Sequence, residues 1–196
     1  ADAGGTIVAW DDFEGGTTLV GRTAPSGQAW TGVQNGTITG GRISSPGAAL
    51  RGTIDLGAPL NGMIQGVVFT AATVGNSSIS LRFRKATGIE DTANYLYARI
   101  ATTFIIGKID SGTQTTLAST TMPNVTNTPV ILSAQIVGNA ITALVTSLAG
   151  QVLVSLSYTL VEPDATTFAT GKYAGFDVYA ASALHWIDDF LVRSYA

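Results

Sequence analysis

Apolar and polar side chains alternate in several short segments of this chain, and this period of two constrains the fold more than any other feature. In Ser80-Leu81-Arg82-Phe83-Arg84 an extended backbone places both apolar side chains on one side and both arginines on the other. The segment after Pro129 repeats the pattern, with Val130, Leu132, Ala134 and Ile136 on its apolar side. Turn residues recur about every eight to twelve positions, which is typical of a many-stranded sandwich. The sequence therefore predicts an all-β protein without a convincing helix.

Turns that contain glycine divide the central part of the chain into hairpins. Ser111-Gly112, Gly138-Asn139 and Ala149-Gly150 each separate two strand-like runs. Glycine supplies the positive φ that such tight turns need. We therefore expect consecutive strands from about Tyr95 to Tyr158 to form an antiparallel meander.

The two ends of the chain carry similar motifs. Trp10-Asp11-Asp12-Phe13 near the start is echoed by Trp186-Ile187-Asp188-Asp189-Phe190 near the end, and nothing else is duplicated. We interpret the two motifs as neighbouring strands that bring the termini together. Residues 21–46 are poor in large apolar side chains and predict long loops with one short strand at 37–39. No low-complexity linker divides the 196 residues, so we expect a single domain over 1–196.

Composition excludes several kinds of partner and chemistry. Charged residues make up 12% of the chain and the formal net charge is −3 without a basic run, so we expect no nucleic-acid partner. The chain has no apolar stretch of about 18 residues, so we expect no membrane insertion. It has no cysteine, which excludes disulfides, thiolate metal sites and a cysteine nucleophile.

Several short motifs together resemble a known superfamily. They are Asp11-Asp12-Phe13, Asn94-Tyr95-Leu96-Tyr97-Ala98-Arg99-Ile100, Ile106-Gly107-Lys108-Ile109-Asp110, Gly171-Lys172-Tyr173-Ala174-Gly175-Phe176 and Ile187-Asp188-Asp189-Phe190-Leu191-Val192. With these motifs the chain resembles the concanavalin A-like lectin/glucanase superfamily, in its laminin-G-like, non-catalytic branch. The resemblance implies a jelly roll, a two-sheet antiparallel β-sandwich. The superfamily includes lectins, carbohydrate-binding modules, glucanases, lyases and adhesion domains, so function has to be argued from a site.

Catalytic groups are scarce. Glycoside hydrolysis normally needs two carboxyl groups about 5 to 10 Å apart, and hydrolases of the superfamily commonly carry them as E-x-D-x-x-E on one strand. The glutamates Glu14, Glu90 and Glu162 form no such motif. His185 is the single histidine, has no G-x-S-x-G motif to serve, and cannot complete a zinc shell. We therefore predict no enzyme activity, although Arg82, Arg99 and Tyr95 would also suit a polysaccharide lyase.

The alternation predicts a strand face rich in aromatic and charged side chains. In 94–100 the apolar side chains point one way and two tyrosines and an arginine the other, and 172–179 is divided in the same manner. The candidate ligand-binding residues are Arg82, Arg84, Tyr95, Tyr97, Arg99, Tyr173, Asp177 and Tyr179. Sugars stack on aromatic rings and exchange hydrogen bonds with planar polar groups, so this face could bind saccharide. The alternative is an ordinary solvent-facing strand surface, because Tyr, Thr and Arg suit strands.

The paired aspartates suggest a calcium site. Ca²⁺ takes six to eight oxygen ligands, and the laminin-G-like branch often has a structural calcium ion near acidic loops. The candidate ligands are Asp11, Asp12, Asp188 and Asp189. The tighter D-x-D-G spacing is missing, so the same side chains could instead cap turns, and no cofactor is required.

Two functions are favoured after these exclusions, and a third, a polysaccharide hydrolase or lyase, is kept only because the resemblance implies that some members are enzymes. The first is a recognition or adhesion module that binds cell-surface or cell-wall glycan, as in a phage tail or decoration protein. The second is a structural virion or fibre domain that contacts other virion or surface protein subunits, which the low charge would suit. Both place the protein outside the cell, on a cell surface or on a virion.

Overall fold

The computed structural model describes residues 5–44, 49–70, 78–88, 93–179 and 185–196. These residues form fifteen strands and one short helix. The elements are β1 (Thr6–Asp11), β2 (Trp30–Gln34), β3 (Thr37–Thr39), β4 (Arg42–Ser44), β5 (Leu50–Asp55), β6 (Gly62–Thr70), β7 (Ser78–Lys85), β8 (Tyr95–Ile100), β9 (Thr103–Asp110), β10 (Thr113–Thr121), β11 (Val130–Val137), β12 (Ala140–Ser147), β13 (Val152–Thr159), α1 (Asp164–Thr167), β14 (Tyr173–Tyr179) and β15 (His185–Ser194).

Two antiparallel sheets form the sandwich. The seven-stranded sheet has the order β10-β9-β8-β7-β14-β5-β2. The eight-stranded sheet has the order β13-β12-β11-β6-β15-β4-β3, and β1 joins it through β15. This confirms the predicted all-β, two-sheet class. In the described ranges, no helix has the length and apolar character needed to cross a lipid bilayer.

The core lies between the facing sides of the two sheets, as the alternation predicts. Leu81 and Phe83 are fully buried, and so are the inward positions of β11. An aromatic group stands at the centre, where the Trp30 ring lies 5.2 Å from Phe176 and 5.2 Å from Phe190 between centroids. Each such fully buried side chain stabilises the fold by roughly 1.5–3 kcal/mol.

The predicted meander is wrong in one respect. All three predicted turns form hairpins, but β8-β9-β10 belong to one sheet and β11-β12-β13 to the other. The chain changes sheets between Thr121 and Val130. Pro123 and Pro129 lie in this connection, and proline cannot donate to a strand ladder.

The chain termini meet as predicted, because β1 pairs with β15 and places Trp10 opposite Leu191. The region expected to hold one strand holds three, β2, β3 and β4. Two of them form a tight hairpin around Gly40 and Gly41, both with positive φ. The predicted strand is β3. The pattern misses β4 because three residues give no measurable alternation, and it misses β2 because Gly32, with φ of 57°, and a register shift between Thr31 and Gln34 interrupt the strand.

His185 makes stability depend on pH. Its side chain is 1% exposed at the start of β15, and burial lowers its pKa from 6.5. Below about pH 6.5 the unfolded chain therefore binds a proton that the folded chain resists, and the free energy of unfolding falls as pH falls. We expect the melting temperature of the wild type to drop more steeply from pH 7.5 to pH 5 than that of His185→Leu. Parallel pH profiles of the two proteins would contradict this.

Candidate functional site

Most of the candidate residues lie on the outward side of the seven-stranded sheet. Residues opposite each other on antiparallel strands share a face. Arg82 of β7 lies opposite Tyr97 of β8, while Asp177 of β14 lies opposite Ser80 of β7 and Arg51 of β5. The register therefore brings side chains from four strands onto one surface. We call this surface the polar face, and define it by Arg51, Ser80, Arg82, Tyr95, Tyr97, Arg99 and Asp177.

An ion pair lies at the centre of the polar face. The Arg82 Nη2 group donates a hydrogen bond to Asp177 Oδ2, and these side chains are 5% and 21% exposed. Burial lowers the pKa of the neighbouring Arg51, and the Asp177 carboxylate offsets part of that effect. Asp177 thus interacts with two guanidinium groups while part of it stays open to solvent.

Two guanidinium groups lie over the two tyrosine rings. Arg82 stands 4.6 Å from the centroid of Tyr95, and Arg99 stands 5.3 Å from that of Tyr97. The tyrosines are 7% and 3% exposed. The expectation that these rings are open for stacking is therefore wrong, because the guanidinium planes cover them. Burial also raises the pKa of both phenols, so each keeps its proton at neutral pH.

The Tyr97 ring is supported by two residues that the sequence pattern did not single out. It lies across Gly107 of β9, where an added Cβ would be 2.3 Å from the ring. The Gln114 side-chain oxygen, in the amide orientation that satisfies its hydrogen bonds, accepts from the Tyr97 hydroxyl at 3.1 Å and from both terminal nitrogens of Arg99 at 3.0 Å. This fixes the Arg99 plane. Counting pairs outward from the turn between β8 and β9 would have placed Gly107 opposite Tyr97. Gln114 lies opposite Ile109 in the ladder of β9 and β10, so register alone does not place it beside Tyr97.

Arg84 is not part of the polar face, which corrects the sequence prediction. A β-bulge with φ of 47° at Arg84 breaks the alternation, so Lys85 rather than Arg84 lies opposite Tyr173. The Arg84 side chain is 7% exposed, and its Nε donates to the Leu60 carbonyl at 3.0 Å. Burial lowers the pKa of Arg84. Its role in the structure is to hold the segment before β6.

Tyr173 and Tyr179 mark the two ends of β14. Tyr173 is half-buried beneath Lys172, whose Nζ is 5.4 Å from the ring centroid, and Gly88 packs against its edge. Tyr179 is 51% exposed at the opposite end of the strand. Both share the outward side with Asp177, but they flank the polar face instead of filling its centre.

The structure contradicts Asp11 as a calcium ligand. Its side chain is fully buried on the inner side of β1. Oδ2 accepts from Arg22 Nε at 2.8 Å and Trp30 Nε1 at 2.7 Å, and Oδ1 accepts from Arg22 Nη2 at 2.7 Å and the Phe13 amide at 2.8 Å. These donors occupy both oxygens, and a guanidinium would repel a cation. We call this group, Asp11 with Arg22 and Trp30, the Asp11 cluster.

The other three aspartates form no group of metal ligands in the part of the chain that the structure describes, although Asp12 and Asp189 line one groove. Asp12 accepts from the Glu14 amide at 3.1 Å, and Asp188 faces Arg42 at 3.9 Å. Burial raises the pKa of Asp188, and the hydrogen bond from the Asp189 amide works in the opposite direction. Within the described ranges, no group of three or more His, Cys, Asp or Glu side chains is placed to hold a metal ion. These residues do not fit a calcium site.

Possible acids for hydrolysis are also dispersed. Glu14 and Glu162 are exposed in turns outside the polar face, and Glu162 accepts from the Thr166 hydroxyl at 3.1 Å. Glu90 lies outside the described residues. Asp177, the carboxylate at the centre of the polar face, is held by Arg82. Asp55 is on the same outward side, but it lies opposite Tyr173 at the other end of β14, and Lys172 Nζ donates to its carboxylate at 2.7 Å. Neither carboxylate is free to act as half of a hydrolytic pair.

Comparison with known proteins finds similarity in structure alone. No family profile and no curated protein sequence matches the chain. The calcium- and Man3GlcNAc-bound VIP36 exoplasmic/lumenal domain matches with a TM-score of 0.60 at 14% identity, over 86% of this chain and 84% of that one. The CBM2 module of the evolved Dit protein of Lactobacillus casei BL23 phage J-1 matches with a TM-score of 0.59 at 12% identity, over 97% of each chain.

An enzyme shares the same architecture. SCLam, a non-specific endo-beta-1,3(4)-glucanase from family GH16, matches with a TM-score of 0.63 at 12% identity, over 98% of this chain and 96% of that one. Identities this low establish the fold and leave the activity open. The chain has the concanavalin A-like β-sandwich fold, as its motifs predicted.

Proposed function

We propose that this protein is a non-catalytic carbohydrate-binding module that uses the polar face to recognise glycan. The observation that carries the proposal is the arrangement of planar hydrogen-bonding groups on that face. The guanidinium carbons of Arg82 and Arg99 lie 4.6 and 5.3 Å from the ring centroids of the buried tyrosines, and the Asp177 carboxylate is paired with Arg82. Such groups are fixed before a ligand arrives, so little conformational entropy is lost on binding.

The desolvation of Arg51 supports a functional role for this surface. Burial lowers the pKa of Arg51 as it lowers that of the structural Arg84, but Arg51 lies on the outward side of the sheet beside the partly exposed Asp177 carboxylate. Perturbed ionisable groups concentrate at functional sites. Guanidinium and carboxylate groups also match sugar hydroxyls, since one donates and the other accepts.

The proposed setting is a cell surface, the extracellular space or a virion. The CBM2 module of a phage Dit protein and the Man3GlcNAc-bound VIP36 exoplasmic/lumenal domain are among the structures with this fold. The pairing of Asp177 with Arg82 and of Asp55 with Lys172 on this side of the sheet supports binding without hydrolysis. We expect no release of reducing ends from a polysaccharide panel.

Arg99→Gln and Asp177→Asn test the polar face. We expect each variant to bind the recognised glycan at least about tenfold more weakly, because each loses a charge-assisted hydrogen bond worth roughly 1.5–3 kcal/mol. Immobilised bacterial and eukaryotic glycans identify the ligand, and calorimetry measures the affinity. Alanine at Tyr95 or Tyr97 is a poorer test, because removing a buried ring costs roughly 3–5 kcal/mol of stability.

Arg42→Gln is the matched control, because Arg42 lies on the other sheet with its side chain 52% exposed. It should bind like the wild type. Glycan binding that survives both polar-face substitutions would move the site elsewhere. Failure of the wild type to bind any glycan would overturn the proposal and favour a structural domain that contacts protein subunits.

A further inference from the structure

A second surface with an exposed aromatic side chain lies on the eight-stranded sheet, whereas the polar face lies on the seven-stranded sheet. Trp10 of β1 lies opposite Leu191 of β15, and Leu191 lies opposite Gln65 of β6. These three side chains therefore form one row on the outward side of the eight-stranded sheet. Trp10 is 37% exposed, whereas Trp30 and Trp186 are 4% and 6% exposed.

The exposed tryptophan is held in place on a fixed strand. Its amide donates to Ser26 Oγ at 2.9 Å, and the Ser26 hydroxyl donates to its carbonyl at 3.1 Å. Gln28 Nε2 donates to the Val8 carbonyl at 2.7 Å, and the next residue, Asp11, is anchored in the core. The backbone of Trp10 is therefore fixed, and its large apolar ring stays on the outward side of the sheet.

A groove of about 440 Å³ runs beside this ring. Ile7 and Leu191 contribute apolar side chains to its lining, while Asp12, Gln65 and Asp189 contribute polar groups. Asp189 is the extra residue of a β-bulge in β15 and has φ of 48°. Bulges of this kind redirect side chains and are common next to binding sites.

We propose that this groove is a second saccharide-binding site and that it takes the pyranose ring of a neutral sugar. The apolar face of such a ring stacks on an exposed indole, and its hydroxyls donate to carboxylates and exchange hydrogen bonds with an amide. Asp12 and Asp189 would repel a sugar that carries a carboxylate or sulfate. The site lies on the opposite sheet from the polar face, so two neighbouring polysaccharide chains can each engage one site, which raises avidity.

Trp10 also provides the readout for its own test, because the other two tryptophans are buried. We would measure acrylamide quenching of tryptophan fluorescence in the presence of cellohexaose, laminarihexaose, mannohexaose, xylohexaose or maltohexaose, with hexagalacturonic acid as the anionic comparison. At least one neutral hexasaccharide should lower the quenching constant roughly twofold, because it covers one face of the ring. Hexagalacturonic acid should not lower it.

Two variants locate the effect. Asp189→Asn keeps the reporter and tolerates the left-handed backbone, and it should weaken binding of the neutral sugar about tenfold. Trp10→Ala should lose at least as much affinity by calorimetry. Arg99→Gln should leave the protection of Trp10 intact.

Different results would contradict the polar face and the second site. If calorimetry detects a glycan whose binding Arg99→Gln removes while Trp10 quenching never changes, the polar face stands and the second site is overturned. The second site is also overturned if hexagalacturonic acid protects Trp10 from acrylamide as strongly as a neutral hexasaccharide does. It is overturned as well if a neutral hexasaccharide protects Trp10 equally in Asp189→Asn and in the wild type. If no hexasaccharide changes the quenching, the inference is wrong.

Discussion

Replacing Asp11 by alanine should destabilise the protein by about 3–5 kcal/mol, the usual cost of removing one partner from a buried ion pair. The Arg22 side chain is 11% exposed and donates two hydrogen bonds to this carboxylate. The Trp30 indole N–H would lose its acceptor as well. Urea denaturation measures the change as a lower free energy of unfolding. Since Trp30 packs on Phe176 and Phe190, the loss would spread into the aromatic centre of the core.

Asp12→Ala is the matched control for Asp11→Ala. Asp12 is the adjacent carboxylate and makes one local hydrogen bond, to the Glu14 amide, so the cost should stay under about 1 kcal/mol. Adding Arg22→Met to Asp11→Ala should recover part of the lost stability, because it removes the uncompensated charge. If Asp11→Ala and Asp12→Ala lowered the free energy of unfolding by the same amount, the hydrogen bonds of the Asp11 cluster would not contribute to stability, and the prediction would be wrong.

Gly107→Ala should damage both stability and glycan binding. The new Cβ would lie 2.3 Å from Cζ and Oη of Tyr97 and 2.9 Å from the Thr115 carbonyl oxygen. Forcing a methyl group into such a space costs about 1–3 kcal/mol. The displaced ring would no longer support Arg99, so affinity for the glycan should fall at least as far as in Arg99→Gln. Urea denaturation and calorimetry measure the two losses.

A double-mutant cycle with Tyr97→Ala shows whether the ring is the cause. In the Tyr97→Ala background, Gly107→Ala should cost less, because the atoms that the methyl group strikes are gone. Some cost should remain from the Thr115 carbonyl. Additive losses across the cycle would mean that Gly107 matters through the backbone of β9 and not through Tyr97.

The alternation of side chains was sufficient to predict the sheets and their two sides. It correctly assigned Leu81 and Phe83 to the core and grouped Tyr97 with Arg82, because side-chain direction in a strand follows position directly. It failed at Arg84, since nothing in the sequence indicates a bulge at an arginine with positive φ. Once a bulge adds a residue, every later position changes sides.

Exposure was harder to predict than direction. A strand face that points outward can still be buried when long side chains fold over it, as the arginines do over Tyr95 and Tyr97. The exposure of Asp11, on the inner side of β1, was equally hard to predict from the sequence. Its partners Arg22 and Trp30 come from a separate part of the chain, and only the folded structure brings them to a carboxylate that looked like a surface ligand.

The side chains of Ser26 and Gln28 have a consequence for how molecules of this protein meet one another. Strand β1 pairs with β15 and would otherwise offer backbone N–H and C=O groups to a strand from another copy. Ser26 occupies the amide and carbonyl of Trp10, and Gln28 occupies the carbonyl of Val8. Two short polar residues from a loop thereby protect a strand with exposed apolar side chains from edge-to-edge aggregation.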